Sequence, residues 1–251
     1  MRERVPEEVA AALKKAKYVV VLTGAGVSAE SGIPTFRDAM EGLWAQYDPM
    51  ELATPQAFAR NPEMVSKWYD ERRQNCALVK PNPGHHALAR MERCLIERGG
   101  EFALLTQNVD RLHQAAGSKN VIELHGSIWE WRCERCGVSR EERGGPFGQY
   151  PPRCACGGIR RPGVVWFGEQ LPPKAVRDSE RALGRCDLFF SVGTSAVVQP
   201  AASFVYLAKR RGAKTAEINR EPTQISEIVD WSIMGKSGEI LPGLVDRAFQ
   251  K

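Results

Sequence analysis

Five short apolar runs, Tyr18–Thr23, Phe102–Thr106, Val121–Leu124, Asp187–Val192 and Thr215–Ile218, limit what this chain can fold into. Each has the length and composition of a buried strand. Helical patterns lie between several of them, as in His86–Arg98 and Pro200–Arg211. Strands that alternate with helices build a parallel sheet covered by helices on both faces. The expected fold class is therefore α/β.

The residues just after each run are more telling. The runs lead, in order, into Gly24-Ala25-Gly26, Gln107-Asn108-Val109-Asp110, His125-Gly126, Gly193-Thr194-Ser195 and Asn219-Arg220-Glu221. An open parallel sheet binds its ligands outside the carboxyl ends of its strands, so five small or polar strand ends point to one shared site. Two stretches interrupt the alternation. Residues 39–80 read as helical and carry two starts in which a cap residue precedes proline, Thr54-Pro55 and Asn61-Pro62. Residues 127–163 are rich in Gly, Pro and Arg and hold two close cysteine pairs. The expected organisation is a sheet domain of residues 1–38, 81–126 and 164–251. Beside it lies a smaller domain made of the helical insert 39–80 and the cysteine-bearing insert 127–163.

With 251 residues, 43% of them apolar, the chain can bury a real core, which excludes wholesale disorder. Its formal charge of +5 is too small to argue for nucleic acid. The start, Met1-Arg2-Glu3-Arg4-Val5-Pro6-Glu7-Glu8, lacks the apolar stretch of a secretory signal, and no apolar run nears the roughly 18 residues of a membrane helix. A cytoplasmic protein without membrane contact is expected. Seven cysteines then read as metal ligands and packing residues, not as a disulfide framework. Cys133-Glu134-Arg135-Cys136 is a C-x-x-C, and seventeen residues separate Cys136 from the pair Cys154-Ala155-Cys156. That spacing suits a closed four-thiolate Zn²⁺ site. Cys76, Cys94 and Cys186 read as packing.

The first run and its turn, Gly24-Ala25-Gly26-Val27-Ser28-Ala29, fit the G-x-G-x-x-G/A form that lets a backbone approach a pyrophosphate. The acidic ribose ligand expected about 20 residues later, at the end of a second strand, is missing. The sequence there is Trp44-Ala45-Gln46-Tyr47-Asp48, with no strand before it. A nucleotide is expected, but not an ordinary hydride-transfer dehydrogenase.

Taken in order, Gly24-Ala25-Gly26-Val27-Ser28-Ala29-Glu30-Ser31-Gly32-Ile33-Pro34-Thr35-Phe36-Arg37, Thr106-Gln107-Asn108-Val109-Asp110-Arg111-Leu112-His113, His125-Gly126, Val164-Val165-Trp166-Phe167-Gly168-Glu169 and Gly193-Thr194-Ser195 resemble the sirtuins, the NAD-dependent protein-lysine deacylases. The resemblance implies a Rossmann-like NAD-binding sheet domain with a smaller zinc-binding domain. It implies that Gly24, Ala25, Gly26, Ser28, Glu30, Thr35, Phe36 and Arg37 cradle the phosphates and close over the nicotinamide ribose. Gln107, Asn108 and Asp110 would line the nicotinamide and ribose pocket, Asn108 and Asp110 as part of the catalytic centre. Gly193, Thr194, Ser195, Asn219, Arg220 and Glu221 would hold the adenosine half, with Ser237 near the adenine.

By the same resemblance, His125 is the general base. The acyl oxygen of the substrate lysine attacks the ribose carbon that bears nicotinamide, and the base then takes a proton from a ribose hydroxyl. Histidine suits this role because its ordinary pKa of about 6.5 leaves it a competent base near neutrality. The products would be nicotinamide, O-acyl-ADP-ribose and free lysine. Val165, Trp166, Phe167 and Gly168, with Val197–Gln199, resemble the two edges that clamp an extended acyl-lysine peptide by strand addition. In the family's common pattern two residues separate the last two zinc cysteines, where this chain has one. His85, His86 and His113 read as structural.

Helical spacing places Val65, Tyr69, Arg72 and Cys76 on one face. The Tyr69–Arg72 pair can bind a carboxylate by charge-assisted hydrogen bonds. It resembles the signature of the prokaryotic sirtuin class that removes succinyl and malonyl groups. A deacetylase, desuccinylase and demalonylase acting as a monomer on acyl-lysine proteins is expected. Two alternatives stay open. One is mono-ADP-ribosyl transfer. The other is nucleic-acid or partner binding by the zinc module, through Trp129, Trp131, Arg132 and Arg135, which requires aromatic and basic residues interleaved on an exposed face. Residues 131–161 carry seven Arg against three Glu, an excess that also offsets zinc-bound thiolates.

Overall fold

A computed structural model describes residues 5–34 and 51–250. In chain order its first elements are α1 (Glu7–Lys15), β1 (Tyr18–Thr23), α2 (Ala25–Ala29), α3 (Pro55–Arg60), α4 (Pro62–Leu78), α5 (Pro83–Glu97) and β2 (Glu101–Thr106). Next come α6 (Leu112–Ala115), β3 (Val121–Glu123), β4 (Gly126–Cys133), β5 (Ser139–Glu141), β6 (Arg160–Val164) and α7 (Pro173–Leu183). The chain ends in β7 (Leu188–Val192), a 3₁₀ turn at Ala201–Ser203, α8 (Phe204–Arg210), β8 (Lys214–Asn219), β9 (Trp231–Met234) and α9 (Ser237–Phe249).

Among the described residues, six strands form one parallel sheet in the order β3-β2-β1-β7-β8-β9. The central strands are buried on both faces, and successive side chains enter two different cores. Val19, Val21, Phe102, Leu104, Leu188 and Phe190 pack with Leu13 of α1, Leu88 and Met91 of α5 and Leu241 and Leu244 of α9. Val20, Leu22, Ala103, Leu105 and Phe189 pack on the opposite face with Leu183 of α7 and Val205 and Ala208 of α8. A one-residue slip would exchange the two faces, so the register Val19↔Phe102 and Val19↔Leu188 is fixed by two cores at once. From β1 the chain first builds toward β3, then returns to the other side of β1 with β7. The order reverses between β1 and β7, and a crevice at such a switch point is where doubly wound sheets bind ligands.

All five expected strands are present, and β9 is a sixth. Its edge position leaves Ser232 and Met234 exposed, so its short sequence carries no apolar run. The helix expected from His86 starts at Pro83, because the Asn82 side chain accepts from Gly84 N at 2.9 Å. The helix expected from Pro200 opens as a 3₁₀ turn before α8 begins at Phe204. Both cap-plus-proline starts are helix starts. Thr54 Oγ1 accepts from Ala57 N at 3.1 Å and Asn61 Oδ1 from Met64 N at 3.0 Å. No helix among the described residues is long and apolar enough to cross a membrane.

The two inserts share one core. Trp68 and Tyr69 of α4 are buried with Ile128, Trp129 and Trp131 of β4 and Val164 of β6, and β5-β4-β6 form a small antiparallel sheet. A buried ion pair joins them further. Arg73 donates to Asp70 Oδ1 and to the carbonyls of Glu142, Gly144 and Gly145, while Asp70 Oδ2 accepts from Phe147 N and the Tyr150 hydroxyl. Buried charges persist when each polar atom is matched in this way. The burial of Trp129 and Trp131 removes the exposed stacking platform that the nucleic-acid alternative requires. Several arginines of this segment are also paired: Arg132 with Glu134, Arg143 with Glu141, Arg160 with Glu142 and Arg161 with Glu169.

Candidate active site

At the switch point the β1–α2 turn and the end of β7 are in backbone contact. A Cβ at Gly26 would lie 2.8 Å from the Gly193 carbonyl oxygen, and a Cβ at Gly193, whose φ is 59°, would lie 2.6 Å from Val27 N. Neither position has room for a side chain. The glycines therefore let the two strand ends meet, in addition to any approach to a phosphate. Thr35, Phe36 and Arg37 lie outside the described residues.

Behind the turn is a buried polar network whose proton directions are set by donor chemistry. Asn108 Nδ2 donates to Gly24 O at 3.1 Å and to Ser28 Oγ at 3.0 Å, and Ser28 Oγ donates to Asp110 Oδ2 at 2.7 Å. Asp110 Oδ1 accepts from Leu112 N, while burial, the largest influence, raises its pKa. His85 Nδ1 accepts from Asn82 N, so in the neutral ring Nε2 carries the proton and faces Ser28 Oγ at 3.4 Å. Burial lowers the His85 pKa to about 4. His113 Nε2 lies 3.0 Å from Thr23 Oγ1, and burial holds its pKa well below the ordinary range. Both rings are thus neutral and fixed within the network. His86 lies outside these contacts.

The residues expected on the adenosine side include Thr194, Ser195 and Asn219–Glu221, at the ends of β7 and β8. Gln107 Nε2 donates to Thr194 Oγ1 at 3.1 Å, and Asn219 Nδ2 donates to Thr194 O at 3.0 Å. Ser195, Arg220 and Glu221 are exposed beside them. Glu30 is engaged elsewhere in the same region. Its carboxylate accepts from Ser237 Oγ at 2.8 Å and Gly238 N at 2.9 Å, holding α9 against the end of α2.

His125 sits where β3 passes into β4. Its Nδ1 lies 3.1 Å from the Gln107 carbonyl. A carbonyl only accepts, so Nδ1 carries the ring proton and Nε2 is left as the basic nitrogen. Burial lowers its pKa below the ordinary 6.5, with the Gln107 contact opposing. The ring is neutral at neutral pH, the form a general base requires.

The segment after β6 runs beside this histidine. Val165 N donates to His125 O at 2.9 Å, Trp166 N to Glu169 Oε2 at 2.9 Å and Phe167 N to Ala53 O at 2.9 Å. These three N–H groups are committed within the chain. Phe167, Val197 and Val198 expose apolar side chains. Tyr69 and Arg72 share the α4 face expected of them but have different partners. Tyr69 is buried and its hydroxyl accepts from Trp166 Nε1 at 3.0 Å, whereas the half-buried Arg72 guanidinium lies 4.7 Å from the Trp68 ring centroid. The Arg72 charge reaches Asp110 and Tyr69, lowering both pKa values against burial.

In the small antiparallel-sheet insert, Cys133, Cys136, Cys154 and Cys156 bring their sulfurs within 4.8 Å of one another. The Cys133–Cys156 and Cys136–Cys154 sulfur separations are 3.5 and 3.8 Å. Tetrahedral thiolates with Zn–S of about 2.3 Å lie about 3.8 Å apart, so the set fits a zinc ion. The short C-x-C knuckle closes because Gly158 packs against it, where a Cβ would lie 2.8 Å from Cys133 Sγ. Zinc held here would be structural, since four thiolates leave no open position.

The order of strand-end motifs around the switch point is matched at family level by the Sir2 family model, over residues 24–200. The chain belongs to the Sir2 family.

Other Sir2 proteins agree over nearly full length. The NAD-dependent protein deacylase of Aquifex aeolicus (strain VF5) is 50% identical over 234 residues, covering 93% of this chain and 96% of that protein. A crystal structure of a Sir2 homolog–NAD complex is 48% identical with a TM-score of 0.92, covering 97% of this chain and 94% of the other. A Sir2 structure with a deacetylated p53 peptide and 3′-O-acetyl ADP-ribose is 33% identical with a TM-score of 0.85, covering 96% and 97% of the two chains. The structure also gathers residues around this Sir2 site that sequence patterns did not mark. Trp129 Nε1 donates to Asp110 O at 2.8 Å, tying the small domain to the strand end that carries Asp110. Arg161 and Glu169 brace Trp166; Glu169 closes the Val164–Glu169 motif, whereas no motif marked Arg161.

Proposed function

We propose that this chain is an NAD-dependent protein-lysine deacylase of the prokaryotic class. In this account it removes acetyl and also succinyl and malonyl groups, and yields nicotinamide, O-acyl-ADP-ribose and free lysine. The observation that carries the proposal is His125, a neutral imidazole whose proton is held on Nδ1 by Gln107 O, with its own carbonyl bonded to the Val165–Gly168 segment. Relatives named NAD-dependent protein deacylase and Sir2 structures with NAD and acetyl ADP-ribose support the same chemistry.

NAD, as co-substrate, supplies the ribose carbon that the acyl oxygen attacks as nicotinamide leaves. The chain's residues act around that event. Asn108 and Asp110, fixed by Ser28 and Gly24 O, position the nicotinamide end, while Gly24, Ala25, Gly26, Gly193, Thr194, Ser195, Asn219, Arg220, Glu221 and Ser237 hold the phosphates and adenosine. Glu30 acts indirectly by holding Ser237. His125 Nε2 takes the ribose hydroxyl proton. The substrate peptide lies along Val165–Gly168 and Val197–Gln199, and because the N–H groups of Val165, Trp166 and Phe167 are spent internally, strand addition on the first edge uses main-chain groups other than these three donors. The four-thiolate zinc stabilises the small domain.

Tyr69 and Arg72 select the acyl group. A hydrogen bond to a charged group is worth about 1.5–3 kcal/mol, or roughly 10- to 150-fold in rate. Arg72→Met is therefore expected to lower kcat/KM on a succinyl-lysine peptide by that factor, and far less on the acetyl-lysine version. Parallel kinetics on the two peptides check this. Equal losses on both would remove Arg72 from acyl recognition.

A further inference from the structure

The α4 pair binds a carboxylate well only if the Tyr69 proton is aimed at it, and the structure contains the means to aim it. The Trp166 indole N–H lies 3.0 Å from the Tyr69 oxygen. An indole nitrogen can only donate, so the phenol oxygen accepts and its own proton is left to be given elsewhere. Tyr69 stays protonated, since burial pushes its pKa up to about 12.

Trp166 is itself immobilised. It is 2% exposed, with the Arg161 guanidinium carbon 3.3 Å from its ring centroid and the Phe58 ring centroid at 5.2 Å. Arg161, 4% exposed, is gripped by Glu169 through contacts of 2.6 and 2.9 Å and also donates to Val164 O at 3.1 Å. Glu169 Oε2 accepts from Trp166 N as well, so one carboxylate fixes both the cation and the backbone of the indole it covers. The flanking bonds of Val165 N to His125 O and Phe167 N to Ala53 O hold the segment at both ends.

We propose that the Arg161–Glu169–Trp166 stack determines acyl specificity, with Trp166 a positioning residue whose indole N–H turns the Tyr69 hydroxyl into a one-way donor toward an acidic acyl group beside Arg72. The proposal rests on the acyl-carboxylate role given to Tyr69 and Arg72 above. It concerns the Trp166 side chain, whereas the peptide contacts of this segment use main chain. The stack works by fixed geometry: a phenol free to rotate would spend part of its time donating elsewhere.

The test is a double-mutant cycle read as the ratio of kcat/KM on succinyl- and acetyl-lysine versions of one peptide. Trp166→Phe keeps a ring on Arg161 and removes the donor. It is expected to lower the ratio about tenfold, mainly through the KM for the succinyl peptide. Tyr69→Phe should lower it at least as far, and adding Trp166→Phe to Tyr69→Phe should lower it no further, because the two act through one hydroxyl. A packing defect would instead multiply independently. Replacing Trp166 with 3-benzothienylalanine, which keeps the bicyclic shape and stacking without the N–H, should reproduce the loss even if Trp166→Phe folds poorly. A wild-type ratio in that variant, or independent losses in the double mutant, overturns the proposal. If Arg72→Met lowers the ratio and the Trp166 substitutions do not, the positioning role alone falls. If Arg72→Met and Tyr69→Phe both leave the ratio unchanged, the acyl-carboxylate role falls and takes this proposal with it.

Discussion

His125→Ala is expected to lower deacylation by about 100- to 10,000-fold, the range for losing a positioned general base, with little change in thermal stability. The imidazole is partly exposed, and its fixed hydrogen bond among the described residues is with a backbone carbonyl, so its removal leaves no buried charge behind. The pH dependence gives a second check on the same group. Burial lowers the His125 pKa, and the neutral ring is the active form, so activity is full above that pKa and is lost as pH falls through it. The acidic limb of kcat/KM should therefore lie below the 6.5 of an unperturbed histidine. Near-normal deacylation by His125→Ala would remove it as the base, and an acidic limb above 6.5 would contradict the buried, neutral imidazole.

Removing zinc is expected to abolish activity and melt the small antiparallel sheet while the parallel sheet stays folded. In β5–β4–β6 every residue of β5 is exposed, so that sheet buries little on its own outer edge. Four sulfurs within 4.8 Å would repel as thiolates without a cation between them. Structural zinc in small domains contributes on the order of 10 kcal/mol, more than this sheet can replace. The effect should spread along named contacts: through Trp129 to Asp110, and through the loop at 142–150 to Asp70 and Arg73 of α4. Elemental analysis should find one zinc per chain. After chelation, hydrogen exchange should show lost protection in 126–164 and retained protection in β1, β2 and β7. Clearly less than one zinc per chain, or full activity after its removal, would contradict this account.

How far the sequence could be read depended on which physical constraint each element obeys. β1, β2 and β7 are covered on both faces and so appear as continuous apolar runs. β9, at the edge with only Trp231 and Ile233 turned inward, shows no such run. The Thr54 and Asn61 caps were legible because capping is a local bond between residues three apart. The site residues were legible as a set, since parallel strands deliver their carboxyl ends to one crevice. Their proton directions were not, because two of them depend on partners far along the chain: Gln107 O for His125 and Trp166 for Tyr69. Helical spacing correctly put Tyr69 and Arg72 on one face but could not say that one is braced by an indole while the other rests over Trp68.

The central claim is that this Sir2 chain transfers an acyl group from lysine to ADP-ribose. Its most direct test is mass spectrometry of the purified protein incubated with NAD and matched acetyl- and succinyl-lysine peptides. Free lysine peptide, nicotinamide and O-acyl-ADP-ribose should form together in equal amounts, with both acyl groups accepted. ADP-ribose attached to the peptide or to the protein, with the acyl-lysine left intact, would contradict it.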